Sequence, residues 1–275
     1  MKLGIFGLNF GERSASISRL APIAESLGYD SLWLGDHLVL PVPQVPPSPL
    51  SPELPILDPL VAFGAASAVT NSIELGTGII ILPQRHPVVL AKQVATLNAI
   101  SQGRFTLGVG VGYLEPEMAA TGVPLRERGR RTDEYLAAMR CLWFEDSAAF
   151  SGDFVSFSNV TAYPRPAVSD DIRIVVGGHS SFAHRRAINS AHGWYGWFLD
   201  LEQTKEHISQ LRKAAITYER AEGLGSLEII VTPRGRLDRS MVEDFWAEGV
   251  DHVVLMANSD LDEGETVNFM ERYAP

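Results

Sequence analysis

The sequence predicts one (β/α)8 barrel with insertions that spans residues 1–275 as a single domain. Eight strand-like apolar segments alternate with eight helix-like segments along the 275 residues, and no linker divides them. Alternation of strands and helices indicates a parallel sheet, and eight such units indicate that the sheet closes on itself. A chain of this length also matches the roughly 250 residues that one barrel needs.

The predicted strands are short runs that are mostly hydrophobic, as is typical of parallel strands covered on both faces. They span residues 2–8, 31–34, 73–82, 104–109, 172–176, 194–198, 227–232 and 252–256.

The predicted helices carry apolar residues at helical spacing and begin or end at recognisable signals. Gly28 ends the first helix, and Asp58-Pro59 supplies the second with an N-cap and a first-turn proline. The helices span residues 14–27, 59–69, 87–100, 125–143, 181–191, 201–221, 239–247 and 261–272.

Two segments depart from this alternation. Residues 41–55 contain seven prolines, which excludes a helix or a central strand and predicts a loop. Residues 145–163 alternate around Gly152-Asp153 and predict a hairpin. We expect the two segments to form a lid over the substrate.

Composition excludes several classes of protein. The net charge of −10, from 23 Lys+Arg against 33 Asp+Glu, opposes binding to nucleic acid or to an anionic membrane. A single cysteine, Cys141, cannot form an internal disulfide. The sequence shows no signal peptide and no apolar run of the roughly 18 residues that a membrane helix needs, so we expect a cytoplasmic protein that acts on a small molecule.

In a barrel of this kind the functional site lies at the carboxyl ends of the strands. No lysine falls there, which argues against a Schiff-base enzyme, and no metal-ligand spacing is present, so no metal is expected. Glycine-rich turns, an Asp-His pair and arginines remain. That inventory favours a bound organic cofactor over a nucleophile supplied by the protein.

Asp36 and His37 follow the second strand. A histidine at this face can donate a hydrogen bond or move a proton near neutral pH. The structural alternative is that Asp36 caps a turn and His37 packs under the proline-rich loop. Both interpretations stay open on these residues alone.

Residues 177–180, Gly-Gly-His-Ser, follow the fifth strand and precede a helix. Glycines there let backbone N–H groups approach an anion, and the helix dipole adds attraction. The alternative is a plain turn in which Ser180 only caps the helix. Residues 126, 128, 130 and 131 are arginines that form either an anion-binding rim or a solvated face paired with nearby carboxylates.

Six segments, taken together and in this order, resemble a known family. They are residues 31–37 (SLWLGDH), 73–97, 103–113 (GRFTLGVGVGY), 129–135 (GRRTDEY), 164–166 (PRP) and 175–181 (VVGGHSS). The set resembles the luciferase-like monooxygenase superfamily, and within it the oxidoreductases that use coenzyme F420.

The resemblance implies a bacterial luciferase-like barrel and roles for particular residues. Asp36 and His37 would lie at the deazaflavin ring and serve catalysis, with His37 moving the proton. A cis peptide bond at Gly78–Ile79 would press the backbone against the ring. The residues that would hold the cofactor are Asp36, Gly78, Ile79, Gly110, Gly112, Tyr113, Gly177, Gly178, His179 and Ser180, the last four at its phosphate.

Two features of the chain bear on the cofactor and the substrate. Relatives that act on sugar phosphates carry a glutamate acid where this chain has Tyr113, which weakens the case for their substrate. The Asp-His pair, in place of the Glu-His of light-emitting relatives, favours deazaflavin over FMN.

We therefore expect an F420-dependent oxidoreductase that transfers a hydride between the deazaflavin and a small uncharged substrate. Arg85 and the four arginines at 126–131 are expected to offset the charge of the acidic cofactor. The alternatives are an FMN-dependent monooxygenase that consumes oxygen and a non-catalytic relative that binds a cofactor without turnover. The family also suggests a homodimer.

Overall fold

A computed structural model of the protein describes residues 1–166, 172–235 and 239–275. The strands are β1 (Lys2–Phe6), β2 (Ser31–Leu34), β3 (Glu74–Thr77), β4 (Ile80–Ile81), β5 (Phe105–Gly110), β6 (Ala148–Ser151), β7 (Ser156–Val160), β8 (Ile174–Gly177), β9 (Gly193–Leu199), β10 (Glu228–Pro233) and β11 (His252–Met256). The α-helices are α1 (Ile17–Ser26), α2 (Pro59–Ser67), α3 (Pro87–Ile100), α4 (Glu115–Ala120), α5 (Arg128–Phe144), α6 (Ser181–Ser190), α7 (Leu201–Thr217), α8 (Arg239–Ala247) and α9 (Glu263–Arg272).

The main sheet is a closed parallel ring, which confirms the predicted barrel. Going round it, the strands follow the order β1, β2, β3, β5, β8, β9, β10 and β11. β1 pairs in parallel with both β2 and β11, so the last strand of the chain closes the ring against the first. All eight carboxyl ends therefore meet at one rim, where such barrels carry their functional sites.

The predicted strand at 73–82, with interruptions expected at Gly76 and Gly78, forms two strands, β3 and β4, with the break at Gly78–Ile79 and not at Gly76. β3 pairs with β2 and, over Leu75 and Gly76, with β5, whereas β4 pairs with β5 alone. Between them the Gly78–Ile79 peptide bond is cis, which confirms the resemblance-based prediction at that position.

Several helix boundaries also differ from those predicted. α4 was not predicted, because six residues give no helical periodicity to detect. A 3-10 turn at Glu12–Ser16 precedes α1, and another at Leu125–Glu127 precedes α5. α7 ends at Thr217 and not at 221.

Aromatic and branched side chains fill the inside of the ring. Trp33 stacks on Tyr195 with ring centroids 5.2 Å apart, and the Tyr195 hydroxyl lies 2.6 Å from Thr232 Oγ1. Phe6, Val175, Ile230 and Val254 complete this inner cluster. Because the interior is packed, a ligand can enter only at the rim.

The two insertions lie outside the ring. Residues 41–55, all of them described, contain neither helix nor strand, as predicted. The predicted hairpin is confirmed as the antiparallel pair β6–β7, and Glu134 of α5 accepts N–H groups from Asp153, Phe154 and Val155 at its turn. Among the described helices none is long and apolar enough to cross a bilayer.

Candidate functional site

The turn after β2 carries Asp36, whose carboxylate is buried in an ion pair. Arg85 donates to both of its oxygens, from Nη2 to Oδ1 at 2.7 Å and from Nε to Oδ2 at 3.3 Å. The N–H of Ile81 also donates to Oδ2, at 3.0 Å. Burial raises the pKa of Asp36, and the guanidinium beside it opposes that rise. With 1% of its side chain exposed, Asp36 acts on the rim by holding Ile81 and Arg85.

Two carboxylates pair with the Arg85 guanidinium. Besides Asp36, it donates to Asp58 Oδ2 at 2.8 Å, and Asp58 is also the N-cap of α2. The expectation that Arg85 offsets the charge of an acidic cofactor is therefore wrong for this structure, because its charge is already matched by two carboxylates.

The arginines at the start of α5 are also engaged locally. Arg131 pairs with Glu127 at 2.9 Å, Arg130 pairs with Asp153, and Arg128 donates to the carbonyl of Leu125. Arg126 is 85% exposed in its side chain. These contacts favour the solvated-face interpretation of this group.

The cis bond places Ile79 between two glycines. A Cβ on Gly110 would lie 1.7 Å from Ile79 Cδ1, and one on Gly177 would lie 3.0 Å from Ile79 Cγ2. A side chain at Gly110 would force Ile79 to move, and one at Gly177 would press tightly against it. Gly78 lies beside it, and its N–H donates to the carbonyl of Leu34 at 2.8 Å.

His37 is held by a glutamate that the sequence did not single out. Its Nδ1 lies 2.9 Å from Glu117 Oε2, and the N–H of Leu38 donates to Glu117 Oε1 at 2.7 Å. The Glu117 side chain is fully buried, whereas that of His37 is 11% exposed. His37 therefore keeps Nε2 as its remaining nitrogen for a ligand.

Tyr113 lies against the same histidine. The two rings meet edge to face with centroids 6.0 Å apart, and Tyr113 is exposed at the rim. Burial of its hydroxyl raises the pKa of Tyr113, and the nearby charge of Glu117 adds to the rise. Gly112, just before it, has a φ of 76°, a left-handed conformation that favours glycine.

Across the rim, residues 178–180 form the exposed start of α6. Gly178 has a φ of 120°, and Trp194 Nε1 donates to its carbonyl at 2.8 Å. Ser180 Oγ accepts the N–H of Ala183 at 3.3 Å, which makes it the N-cap. Helix N-termini of this kind attract anions.

His179 belongs to a cluster of three histidines behind this loop. Its ring stacks on His207 at 4.8 Å, and His184 lies 5.3 Å from His207 between centroids. The N–H of Trp197 donates to His179 Nε2 at 3.3 Å. Burial, with His207 and His179 adding to it, lowers the pKa of His184 to about 4, and burial likewise lowers the pKa of His179 and of His207.

An apolar floor joins the two sides of the rim. Phe6 and Trp197 contact each other at 4.6 Å between centroids, and Ile79 and Met256 pack against the inner cluster with them. Met256 also lines a cavity of about 330 Å³ at the ends of β9, β10 and β11. Within residues 1–166, 172–235 and 239–275, no three His, Cys, Asp or Glu side chains are arranged to hold a metal ion.

These features fit a planar organic cofactor with an anionic tail. The floor is apolar, His37 stands at one side of it, and the α6 N-terminus stands at the other. The structure thus brings the predicted residues to one rim. Asp36, however, is buried in its ion pair with Arg85, and Gly110 and Gly177 lie against Ile79. Their direct contact with a cofactor stays a prediction.

Comparison with known proteins identifies the family. The model of the luciferase-like monooxygenase family matches residues 1–248. The chain belongs to that family. Its family membership confirms the resemblance to the luciferase-like superfamily, and the barrel is the luciferase-like (β/α)8 fold.

Relatives of this chain include uncharacterised proteins and F420-dependent enzymes. An uncharacterised protein of Mycobacterium tuberculosis (strain H37Rv) is 35% identical over 192 residues, 66% of this chain and 68% of that protein. An F420-dependent glucose-6-phosphate dehydrogenase of Intrasporangium calvum is 32% identical over 161 residues, 56% of this chain and 46% of the relative.

Solved structures share the fold at low identity. The monooxygenase RslO1 of Streptomyces bottropensis superposes with a TM-score of 0.80 at 23% identity, covering 100% of this chain and 98% of that one. An F420-dependent secondary alcohol dehydrogenase with an F420–acetone adduct gives 0.79 at 19% identity, covering 99% and 97%. These structures show the shared fold, and the family match makes the chain an oxidoreductase of the luciferase-like type.

Proposed function

We propose that this protein uses coenzyme F420 to oxidise or reduce a small uncharged organic substrate. The observation that carries the proposal is the pairing, at one rim, of a histidine oriented by a buried carboxylate with an exposed helix N-terminus. Both stand over an apolar floor. The bound deazaflavin would supply the hydride chemistry, which no side chain at this rim can provide.

The chain's own residues would bind, orient and exclude water. Ile79, Phe6 and Trp197 would support the ring system from below. The backbone at Gly178 and Ser180 would take the phosphate. His37 Nε2 would give a proton to the substrate or take one from it.

The charges at the rim support a neutral substrate. Arg85 is matched by Asp36 and Asp58, and the residues that follow His37, Leu38 and Val39, are exposed and apolar. A charged substrate would find no unmatched cation beside His37 among these groups.

Cofactor titration tests the proposal. Oxidised F420 and FMN are added separately to the wild-type protein, and binding is followed by fluorescence. We expect F420 to bind at least ten times more tightly. Tighter binding of FMN together with flavin-dependent oxygen consumption would instead establish the monooxygenase alternative, which the fold shared with RslO1 supports.

Two variants separate the proposed roles. Gly178→Glu adds a negative charge and a Cβ that would lie 3.1 Å from the Cβ of Ala183, so we expect at least a tenfold loss of F420 affinity. His37→Ala should leave affinity within about twofold and lower turnover by about 10²–10⁴. His86→Ala, at the exposed start of α3, is the matched control and should change neither value. Stoichiometric binding without turnover on a broad substrate panel would support a non-catalytic role.

A further inference from the structure

Glu117 occupies an unusual place for a carboxylate. It belongs to α4, its side chain has no exposed surface, and each of its oxygens accepts one hydrogen bond. In the described part of the chain, His37 is the one ion-pair partner within 4 Å of this carboxylate. Burying an ionised carboxylate is costly unless it is paired, so this contact has to carry most of the compensation.

The two hydrogen bonds fix both groups. The N–H of Leu38 donates to Oε1, and Oε2 lies within hydrogen-bond distance of Nδ1 of the preceding residue, His37. An ionised carboxylate only accepts, so Nδ1 must carry the proton in this bond. Nε2 is then the unprotonated nitrogen of the neutral ring and the one that can accept a proton.

Tyr113 does not compete with His37 Nε2 as a proton acceptor. Burial and the charge of Glu117 raise the pKa of the Tyr113 hydroxyl, so it stays protonated near neutral pH. Glu117 lies four residues later and is the third residue of α4. The carboxylate that contacts His37 is therefore that of Glu117 in α4, whereas position 113, beyond the end of β5, supplies a tyrosine.

We propose that Glu117 is a positioning residue that holds His37 as the Nδ1–H tautomer and stabilises the imidazolium that forms when Nε2 takes a proton. This inference rests on the proposed function. For an alcohol or carbonyl substrate, the bound deazaflavin would supply the hydride chemistry at carbon. In the oxidative direction the C–H bond would break as the hydride leaves, the substrate O–H bond would break, its electron pair would form the C=O bond, and its proton would bond to Nε2. In the reductive direction Nε2 would return the proton to the oxygen as the carbon regains the hydride.

Glu117→Gln tests the tautomer because it preserves size. The amide oxygen can still accept from Leu38, which places the NH2 group against His37 Nδ1 and forces the proton onto Nε2. We expect ¹⁵N NMR of histidine-labelled protein without cofactor to show Nδ1–H in the wild type and Nε2–H in the variant. His37→Ala assigns the signal among the seven histidines.

Kinetics provide the second measurement. We expect Glu117→Gln to lower kcat by up to about 10⁴, the loss found when the orienting carboxylate of a catalytic histidine is made an amide. The KM for the substrate and the affinity for F420 should stay within about threefold. Glu115→Gln, on the exposed side of the same helix, is the matched control and should leave both the tautomer and kcat unchanged.

The outcomes distinguish this inference from the proposed function. An Nε2–H tautomer in the wild type, or no change in Glu117→Gln, overturns the role of Glu117 even if F420 turnover is found. Failure of the wild type to bind F420 overturns the proposed function, while the NMR result still decides the tautomer. If Glu117→Gln does not fold, Glu117→Asp takes its place and should retain the Nδ1–H tautomer with a smaller loss of kcat.

Discussion

The two histidines at the rim have opposite surroundings. His37, after β2, contacts the buried carboxylate of Glu117 at 2.9 Å. His179, after β8, stacks on His207 and receives an N–H from Trp197. One imidazole faces a negative charge and the other faces a second imidazole.

This difference separates two tasks at one rim. A carboxylate stabilises an imidazolium, so His37 can take up and release a proton. A histidine packed against other histidines is disfavoured as a cation, and burial lowers the pKa of His179 further. The α6 side would therefore bind an anion mainly through backbone N–H groups and the helix dipole, while proton transfer stays on the β2 side.

The largest expected effect comes from breaking the charge pairing on the β2 side. Asp36→Ala leaves Arg85, 12% exposed in its side chain, with Asp58 as its remaining carboxylate and removes the acceptor of Ile81 N–H. We expect the free energy of unfolding in urea to fall by about 3 kcal/mol, the lower end of the range for a broken buried pair.

An exposed pair supplies the control for Asp36→Ala. Asp153 and Arg130 are both about two-thirds exposed, so Asp153→Ala should cost less than about 1 kcal/mol. Equal losses in the two variants would contradict the view that the β2 side depends on buried charge pairing.

The next effect concerns pH on the α6 side. His184 has a pKa lowered to about 4 when folded, against an ordinary value of 6.5, so below pH 6.5 the unfolded chain binds more protons than the folded one. We expect stability to be full above pH 7 and to fall with decreasing pH, by up to about 1.4 kcal/mol per unit for this residue. His252, with a pKa lowered to about 3 by burial and nearby cations, adds to the same fall.

Urea unfolding at several values between pH 6.5 and 5 measures this slope. In that window Glu25 and Glu263, the carboxylates with strongly lowered pKa values, are mostly ionised in both the folded and the unfolded chain. They therefore contribute little to the slope of stability against pH. His184→Gln should make the slope shallower by up to one proton. An unchanged slope would show that His184 is not held neutral by its surroundings.

The sequence predicted the ring well because each strand is a short apolar run with a turn signal after it. The hairpin and the position of the cis bond were also predicted. Gly76 and Gly78 predicted an interruption within residues 73–82, and the break lies at Gly78–Ile79. Hydrophobicity alone would not show it, since Ile79, Ile80 and Ile81 extend the apolar run.

The candidate site was predicted only in part. His37 and the 177–180 loop stand at the rim, but the partner of His37 comes from 80 residues further along the chain. Glu117 resembles any surface glutamate in sequence, and α4 is too short to show which face is buried. The pairing of Arg85 with Asp36 and Asp58 was also not predicted, because the sequence pattern around each residue carries no information on which distant charges meet.

The smallest expected effect tests what Ser180 does beyond capping. Its Oγ accepts the N–H of Ala183, which leaves the hydroxyl hydrogen free to donate to an anion at the same place. Ser180→Gly removes the hydroxyl, and glycine at an N-cap costs only a few tenths of a kcal/mol, so the variant should fold normally. We expect the affinity for F420 to fall about fivefold while the free energy of unfolding changes by less than about 0.5 kcal/mol.

Ser181→Ala, one residue into the helix, is the control and should leave the affinity within about twofold. If Ser180→Gly binds as tightly as the wild type, the serine is only a cap, and binding on the α6 side then rests on the backbone and on His179 alone.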